Sequence, residues 1–386
     1  MQKNFDPARI DRPDRARREW LRRAGLIAGG LWALPGCGER QPLRVGFIGG
    51  LSGRVADLGI GGRNGAQLGV DDLNAAGGVE GRRLELLTRD DEQNAELARK
   101  RLTELFDAGV VFVVGPMTSA MAVALVPLAD QRGIPLISPT STTHELSHKA
   151  DAFFRVVPDA PTGAAQQSDA LLAAGHRRLV TVADLNNHAF SDSWSQAAAL
   201  RFRDAGGTLV QAIQFRSAPG LSYGDLADKV AAARGDAVMI SASATDTALL
   251  AQHIRHLDTR VALATSPWAG TERFPEMGGR ALEGMLVAQY FDRDSHAGAY
   301  LAFVQRYAKR FGEAPGYPAV NGFDALMLGI DCLRQRGAGT LIESLTRARG
   351  HDGLQRRIEL DANGDSRSPM FLNEVRGGHY VATARQ

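Results

Sequence analysis

From Leu43 onward, the apolar residues follow two alternating patterns along the chain. Short runs of consecutive apolar residues, typical of strands buried on both faces, alternate with longer stretches in which apolar residues recur at helical spacing. Predicted strands occupy residues 43–50, 83–90, 110–116 and 134–138, and a helical stretch follows each of the first three. This order predicts a doubly wound α/β lobe, in which helices cover both faces of a parallel sheet.

The same alternation begins again after the segment DAFFRVVPD (151–159). Further strands are predicted at residues 177–185, 208–215, 236–243 and 261–266, with helical stretches between them. The pattern therefore predicts a second lobe of the same α/β class. One more strand in ALEGMLVAQYF, later helices and a hairpin-like tail complete the chain.

The length of 386 residues favours two domains, because it exceeds what one hydrophobic core usually holds. We predict that the late elements are shared between the lobes. The first lobe then comprises residues 42–158 and about 284–338, and the second comprises residues 159–283 and about 339–386. The chain is accordingly expected to cross between the lobes more than once.

Residues 1–36 have the pattern of an export signal. A basic segment with the pair Arg17 and Arg18 resembles a twin-arginine motif, and the apolar run that follows is too short for a stable membrane anchor. The run ends at LPGC, which resembles a bacterial lipobox with Cys37 as the lipidated residue. The sequence thus predicts an exported protein of the periplasm or cell envelope, anchored to a membrane through lipid.

Charge and cysteine content narrow the possible functions. The formal net charge is +2 and its basic excess lies in the first 36 residues, so no nucleic-acid partner is indicated. Only Cys37 and Cys332 are present, which leaves no disulfide framework and no cysteine cluster for zinc. Cys332 lies in an apolar helical run and is predicted to be a buried thiol.

Small and hydroxyl-bearing residues follow six of the predicted strands. In open α/β sheets, ligands bind beyond the carboxyl ends of the strands, so these loops predict a polar cleft between the lobes. Neutral hydroxyl donors suit a small carboxylate, because they hold charge through hydrogen bonds without a fixed counter-ion. The six segments are IGGLSG (48–53), VGPMTSA (114–120), ISPTSTT (137–143), ADLNNHAFSDS (183–193), ISASATD (240–246) and ATSPWAG (264–270).

Several segments, in their order and spacing, resemble the type I periplasmic binding proteins of the branched-chain amino-acid (leucine/isoleucine/valine-binding) type. The resemblance implies two Rossmann-like lobes joined by a multi-strand hinge. It also implies a substrate-binding lipoprotein that serves the permease and ATPase subunits of an ABC importer, without enzymatic activity or a cofactor. The segments are GGLSGRVADLG (49–59), the long run 64–92, GPMTSAMA (115–122), IPLISPTSTTHEL (134–146), FFRVVPD (153–159), ALEGMLVAQYF (281–291) and NGFDALMLG (321–329).

The resemblance also implies a set of ligand-binding residues. First-lobe hydroxyls would hold the ligand carboxylate, Leu58 would form part of the wall, and Phe190 would close over the ligand from the second lobe. Ser243 or Ala244 falls where an aromatic residue can sit in the family, so that wall is expected to be smaller here. The hydroxyl residues are Ser119, Thr140, Ser141 and Thr142.

One position departs from the family pattern. Amino-acid binders place a carboxylate after a late second-lobe strand to pair with the ligand ammonium, whereas this chain has Trp268 there. An ammonium buried without a counter-charge is costly. Either Glu272 or Asp246 pairs with it, or the ring face of Trp268 does so, or the ligand is not a standard amino acid.

Other chemistry is weakly indicated. The run GIGGRNG (59–65) lacks the spacing and position of a dinucleotide-binding turn, and no nucleophile elbow is present. His253 and His256 share a helix face but are expected to be surface residues, and DANGD (361–365) is expected to be a turn and not a calcium loop. No metal site is predicted. A lipid-anchored sensor or regulator of the same fold stays open, and a filled cleft would favour it.

Overall fold

The computed structural model describes residues 40–258, 260–348 and 350–383. The predicted export signal and Cys37 lie outside these residues. Within them, no helix is long and apolar enough to cross a bilayer.

Strands and helices alternate through most of the described chain, as the apolar pattern predicts. The strands are β1 Leu43–Gly49, β2 Leu84–Asp90, β3 Val113–Val114, β4 Leu136–Ser138, β5 Phe153–Arg155, β6 Arg178–Asp184, β7 Thr208–Phe215, β8 Ala237–Ser241, β9 Ala262–Thr265, β10 Leu286–Gln289, β11 Gly350–Asp352, β12 Arg357–Glu359, β13 Phe371–Arg376 and β14 His379–Ala382. The helices are α1 Ala56–Ala75, α2 Ala95–Asp107, α3 Ser119–Arg132, α4 Ala160–Ala173, α5 His188–Asp204, α6 Tyr223–Ala232, α7 Ala244–Leu257, α8 Phe274–Gly278, α9 Gly298–Phe311, α10 Tyr317–Gln335 and α11 Leu341–Arg347.

The first sheet has the strand order β2-β1-β3-β4-β5, and all its pairs are parallel. In this register Phe47 lies opposite Thr88 on one side and Val114 on the other. A core of apolar residues from α2 and α3, which includes Leu102 and Leu125, covers one face of this sheet. The carboxyl ends of β1, β3 and β4 therefore meet at one edge of the first lobe.

The second sheet has the order β14-β13-β10-β9-β8-β6-β7. The pairs from β7 to β10 are parallel, and β13 and β14 add an antiparallel edge. Together the two sheets confirm the predicted α/β fold with two doubly wound lobes. The hairpin-like tail contributes β13 and β14 to the second sheet.

The chain returns to the first lobe later than we predicted. β10 pairs with β9 and β13, so it belongs to the second sheet and not to a first-lobe segment that begins at about 284. Helix α10 then packs on α1 of the first lobe, and α11 packs on α10, although the region after 339 was predicted for the second lobe. The apolar run of β10 is equally suited to either sheet, and its pairing partners decide its position.

The glycine run GIGGRNG lies inside helix α1, where it permits close packing. A side chain at Gly65 would clash with the main chain of Ala319 on α10, and one at Gly59 would clash with the main chain of Gly50 after β1. These glycines therefore bring α1 against its neighbours and do not form a phosphate-binding turn. Cys332 on α10 is a free, buried thiol, as predicted.

Candidate ligand-binding site

A small cavity lies between the two lobes, beyond the carboxyl ends of the parallel strands of both sheets. First-lobe loops after β3 and β4 form one side, and loops after β6 and β9 form the other. The lining residues are Leu58, Met117, Thr118, Ser119, Thr140, Asn187, Phe190, Pro267, Trp268, Tyr290 and Tyr317.

The first-lobe side includes the beginning of helix α3. Thr118 and Ser119 line the cavity where this helix begins, so the positive end of its dipole adjoins the cavity. The first backbone N–H groups of a helix lack partners within the helix, and they favour an anionic group. This side of the cavity is therefore suited to a carboxylate.

The hydroxyl-rich loop after β4 is tied to the loop after β3. Thr140 donates from its hydroxyl to the carbonyl of Met117 (2.5 Å), and Ser141 donates to the carbonyl of Pro116 (2.9 Å). The Ser119 hydroxyl oxygen accepts from the backbone N–H groups of Thr142 and Thr143, each at 3.1 Å. Much of this hydroxyl content thus fixes the shape of the first-lobe side.

Aromatic side chains form most of the remaining wall. Phe190 and Trp268 meet edge to face, with ring centroids 6.0 Å apart and planes at 88°. Tyr290 and Tyr317 make a second edge-to-face pair, with centroids 6.2 Å apart and planes at 71°. Such pairs are favourable beyond their buried area, and they give the cavity flat, rigid surfaces.

Three buried polar groups at or beside the cavity make no hydrogen bond of ordinary geometry within the described structure, although two of them, the hydroxyls of Tyr290 and Thr142, interact with each other. They are the indole N–H of Trp268, the hydroxyl of Tyr290 and the hydroxyl of Thr142. Burial raises the pKa of Tyr290, an effect that the nearby Thr142 hydroxyl opposes. Buried donors without partners are uncommon in folded proteins, so these groups indicate a place for an acceptor.

Both carboxylates that were considered as partners for a ligand ammonium are engaged by other residues. Asp246 is 1% exposed and accepts hydrogen bonds from Arg54 of the first lobe and from the hydroxyls of its own lobe. Those hydroxyls belong to Ser217, Tyr223 and Ser243. Glu272 pairs with Arg293 through two N–H groups, and Arg293 also stacks on Tyr380.

Asp57 is a third carboxylate near the cavity, next to the lining residue Leu58. It accepts hydrogen bonds from the hydroxyl of Thr271 (2.5 Å) and from the backbone N–H of Leu58 (2.9 Å). Burial raises the pKa of Asp57, and the hydrogen bond from Thr271 opposes this effect. Asp57 itself is not among the residues that line the cavity.

The lobes contact each other around the cavity. Arg54 contacts Asp246, Asp57 contacts Thr271, and Asn187 of the second lobe accepts a hydrogen bond from the backbone N–H of Ala120 (2.9 Å). The cavity has a volume of about 20 Å³. This is little more than a single water requires, so a solute enters only if the lobes separate or the lining side chains move.

The structure brings five of the eight predicted ligand-binding residues together at the cavity: Leu58, Ser119, Thr140, Phe190 and Trp268. The other three, Ser141, Thr142 and Ser243, lie outside its lining. Ser243 caps helix α7, because its hydroxyl accepts from the backbone N–H of Asp246.

Sequence reasoning did not select six lining residues: Met117, Thr118, Asn187, Pro267, Tyr290 and Tyr317. Met117, Thr118, Asn187 and Pro267 lie in strand-end segments that predicted the cleft, so their position was an available signal. Tyr290 follows β10, which was assigned to the wrong lobe. Tyr317 begins helix α10, and no local pattern distinguishes it from a core residue.

The histidine pair and the DANGD segment, the remaining candidate metal-binding motifs, lie on a helix surface and in a turn. His253 and His256 are exposed on helix α7, and the ring of His253 stacks on Tyr223. The DANGD segment forms a turn closed by a bridge between Leu360 and Ser366. Its carboxylates, Asp361 and Asp365, lie near His148, and the atoms of these three residues that are able to bind a metal lie within 4.8 Å of one another. Arg155 forms an ion pair with Asp365 at 2.7 Å. Arg155 supplies a buried counter-charge to this cluster.

The cavity lies between two doubly wound lobes, at the carboxyl ends of their parallel strands. This arrangement is that of a bilobal binding protein. The chain belongs to the periplasmic binding protein family, whose profile matches residues 42–379. The match confirms the resemblance drawn from the sequence and the assignment as a binding protein and not an enzyme.

Individual relatives are distant. The Leu/Ile/Val-binding protein BraC3 of Rhizobium johnstonii is 32% identical over 107 residues, which are 28% of this chain and 29% of that protein. The chain thus matches under a third of the length of this curated relative.

Solved structures match over most of the chain. The leucine-binding protein LivK of Thermotoga maritima has a TM-score of 0.81 and 22% identity, and the match covers 89% of this chain and 98% of that one. A solute-binding protein of an R. palustris ABC transporter, solved in complex with benzoate, has a TM-score of 0.80 and 22% identity, with coverage of 88% and 95%. At these identities the likeness shows the fold.

Proposed function

We propose that the protein is the extracytoplasmic substrate-binding component of an ABC importer, and that it takes a small carboxylate or amino-acid-like solute between its lobes. The single observation that carries this proposal is the cavity itself. Ser119 and the beginning of α3 line it from one lobe, and Phe190 and Trp268 line it from the other. A solute held in this way contacts both lobes at once.

Binding is proposed to be coupled to hinge closure. The direct contacts between the lobes, such as that between Asp57 and Thr271, form only when the lobes are close together. The present cavity is too small to admit a solute, so the cycle requires an open form. A solute that contacts both sides then shifts the equilibrium toward the closed form, because it binds that form better.

The proposed partners follow from this role. The closed protein would deliver its solute to the permease and ATPase subunits of the transporter. Cys37, which lies outside the described residues, would carry lipid and hold the exported protein at a membrane of the cell envelope.

The test begins with the solute. Mass spectrometry of small molecules released from the purified protein should identify a carboxylate, and calorimetry should give one binding site per chain. Small-angle scattering with and without that molecule should then show a smaller radius of gyration in its presence. A radius that stays the same at saturation would contradict hinge closure.

A second candidate function is a lipid-anchored sensor or regulator that acts on an envelope enzyme or receptor. The small volume of the cavity favours it, because a filled cleft needs no solute. In that case no small molecule should be released from the protein. Cross-linking in intact envelopes should then capture an enzyme or receptor, whereas the importer proposal requires capture of the transporter subunits.

A further inference from the structure

We propose that the solute is a small aromatic carboxylate without an ammonium group, and that the hydroxyl of Tyr290 and the indole N–H of Trp268 select it by donating hydrogen bonds. This inference rests on the proposed function, which it narrows to one class of ligand.

The first argument is the absence of an available counter-charge. No Asp or Glu occurs among the described residues that line the cavity. Asp246 is held by Arg54 from the opposite lobe, and Glu272 is held by Arg293. An α-amino acid in this cavity would bury its ammonium group among neutral side chains without a carboxylate partner, and burying a charge without a counter-charge is costly.

Asp57 does not change this conclusion. Its two oxygens already accept hydrogen bonds from the Thr271 hydroxyl and the Leu58 backbone N–H. Its side chain lies outside the cavity lining, so an ammonium group in this cavity would not contact it directly. Asp57 is nevertheless the nearest alternative acceptor along the chain, and the experiment includes it.

The second argument is the kind of polar group that the cavity leaves unpaired. The Trp268 indole only donates, and it is buried without a partner. An ammonium group also only donates, so it would leave the indole N–H unpaired, although the Tyr290 oxygen is able to accept from it. A carboxylate or ring oxygen accepts from both, and a charged acceptor makes these hydrogen bonds stronger.

The third argument is shape. Phe190, Trp268, Tyr290 and Tyr317 present flat surfaces to a narrow cavity, and planar rings pack well against such surfaces. An aromatic cage also attracts a quaternary ammonium through cation–π interactions. That alternative leaves the donors of Trp268 and Tyr290 unsatisfied, so we favour the aromatic acid. The benzoate complex of the R. palustris protein indicates that this fold encloses such a molecule.

Two pairs of compounds that differ only in the ammonium group test the proposal directly. Calorimetry on the purified protein would compare hydrocinnamate with phenylalanine and isocaproate with leucine. A separate comparison of benzoate with glycine betaine tests the aromatic acid against a quaternary ammonium. We expect benzoate and hydrocinnamate to bind, and each amino acid to bind at least about tenfold more weakly than its partner without the ammonium group.

Three results would overturn the ligand class. They are tighter binding of leucine or phenylalanine than of its partner, tighter binding of glycine betaine than of benzoate, and no binding of any aromatic carboxylate at millimolar concentration. Loss of amino-acid binding in Asp57→Asn would identify Asp57 as the ammonium acceptor and would overturn the proposal in the same way.

Conservative variants test the two selecting residues. Tyr290→Phe and Trp268→Phe should each weaken benzoate binding about tenfold, which corresponds to about 1.4 kcal/mol. The melting temperature without ligand should fall little in Tyr290→Phe, because the hydroxyl makes no hydrogen bond of ordinary geometry and interacts with the neighbouring Thr142 hydroxyl. The matched control is Tyr307→Phe, whose buried hydroxyl lies against Glu313 away from the cavity and whose benzoate affinity should be unchanged. Wild-type affinity in both test variants would overturn the assignment.

The outcomes also separate this inference from the proposed function. If the protein prefers an amino acid, the inference of an aromatic carboxylate is wrong, but the proposed function as a solute-binding protein that closes on its ligand still holds. If no solute is released from the protein and none of the compounds binds or compacts it, the proposed function fails together with the inference.

Discussion

Arg54 and Asp246 form an ion pair across the cleft, with the guanidinium Nη1 2.8 Å from the carboxylate Oδ1. Arg54 precedes helix α1 in the first lobe, and Asp246 lies in the first turn of α7 in the second. The same guanidinium also donates to the hydroxyl of Tyr223 at 3.0 Å. Burial and the hydrogen bond to Asp246 raise the pKa of Tyr223 to about 12. Asp246, which was considered as a partner for a ligand ammonium, therefore pairs with Arg54 of the opposite lobe instead.

Arg54→Ala should weaken solute binding by favouring the open form. Since Arg54 is partly exposed and Asp246 is buried, we expect a loss of about 1 kcal/mol, or roughly fivefold in affinity. Calorimetry gives the affinity, and scattering of the ligand-free variant should show a larger radius of gyration. The control is Arg44→Ala, because the pair of Arg44 with Glu85 lies within the first lobe. Equal effects of both substitutions would show that the cross-cleft pair has no special role.

Thr142→Ala and Ser119→Ala should differ in their effect on the ligand-free protein. The Thr142 hydroxyl makes no hydrogen bond of ordinary geometry and interacts with the Tyr290 hydroxyl, so its removal should leave the melting temperature nearly unchanged. Thr142→Ala should weaken carboxylate binding roughly tenfold to a hundredfold. This corresponds to the loss of about 1.5–3 kcal/mol that is expected for a hydrogen bond to a charged acceptor. The Ser119 hydroxyl accepts from two buried N–H groups, so Ser119→Ala should also cost about 1–3 kcal/mol of folding free energy.

Chemical denaturation and calorimetry on both variants separate these effects. Ser141→Ala is the matched control, because its hydroxyl already donates to the carbonyl of Pro116, whereas the Thr142 hydroxyl makes no hydrogen bond of ordinary geometry. It should lower stability and spare the affinity. Full-strength binding by Thr142→Ala would place the carboxylate elsewhere in the cavity.

Asp91 should make the stability of the protein depend on pH. Burial raises the pKa of this carboxyl from 3.8 to about 6, and one of its oxygens has no hydrogen-bond partner. Because the pKa is higher in the folded protein, this group stabilises the fold at acid pH. Its contribution is lost as the pH rises through about 6.

The Asp91→Asn variant should therefore gain in free energy of unfolding relative to the wild type between about pH 4 and pH 7, by roughly 3 kcal/mol at most. Urea denaturation across this range measures the difference. The exposed neighbour Glu92 provides the control, since Glu92→Gln should follow the wild-type profile. Parallel profiles for Asp91→Asn and the wild type would contradict the expectation.

Cys37→Ala should block lipid attachment if LPGC is a functional lipobox. The variant should accumulate as an uncleaved or unlipidated precursor, because the thiol that receives the lipid is missing. Metabolic labelling with a radioactive fatty acid and membrane fractionation give the result. Normal maturation and membrane association of the variant would exclude the proposed anchor.

The sequence was sufficient to predict the fold class. Runs such as 110–114 (VVFVV) and 237–240 (AVMI) are apolar throughout, which is the pattern of a parallel strand covered on both faces. Because carboxyl ends of neighbouring parallel strands lie at one edge of a sheet, the sequence also located the cleft. Ser119, Phe190 and Trp268 lie in the strand-end segments that this pattern selected, and the family resemblance singled out their positions as candidates for ligand binding.

Only the tertiary structure decided which polar groups are already engaged. Asp246 and Glu272 are chemically able to hold an ammonium group, but their partners Arg54 and Arg293 are distant in sequence or belong to another loop. The same is true of Tyr290, whose position depends on the sheet that β10 joins. Strand periodicity specifies which face of a strand is buried, and the long-range pairing that selects a sheet and a hydrogen-bond partner leaves no local signal.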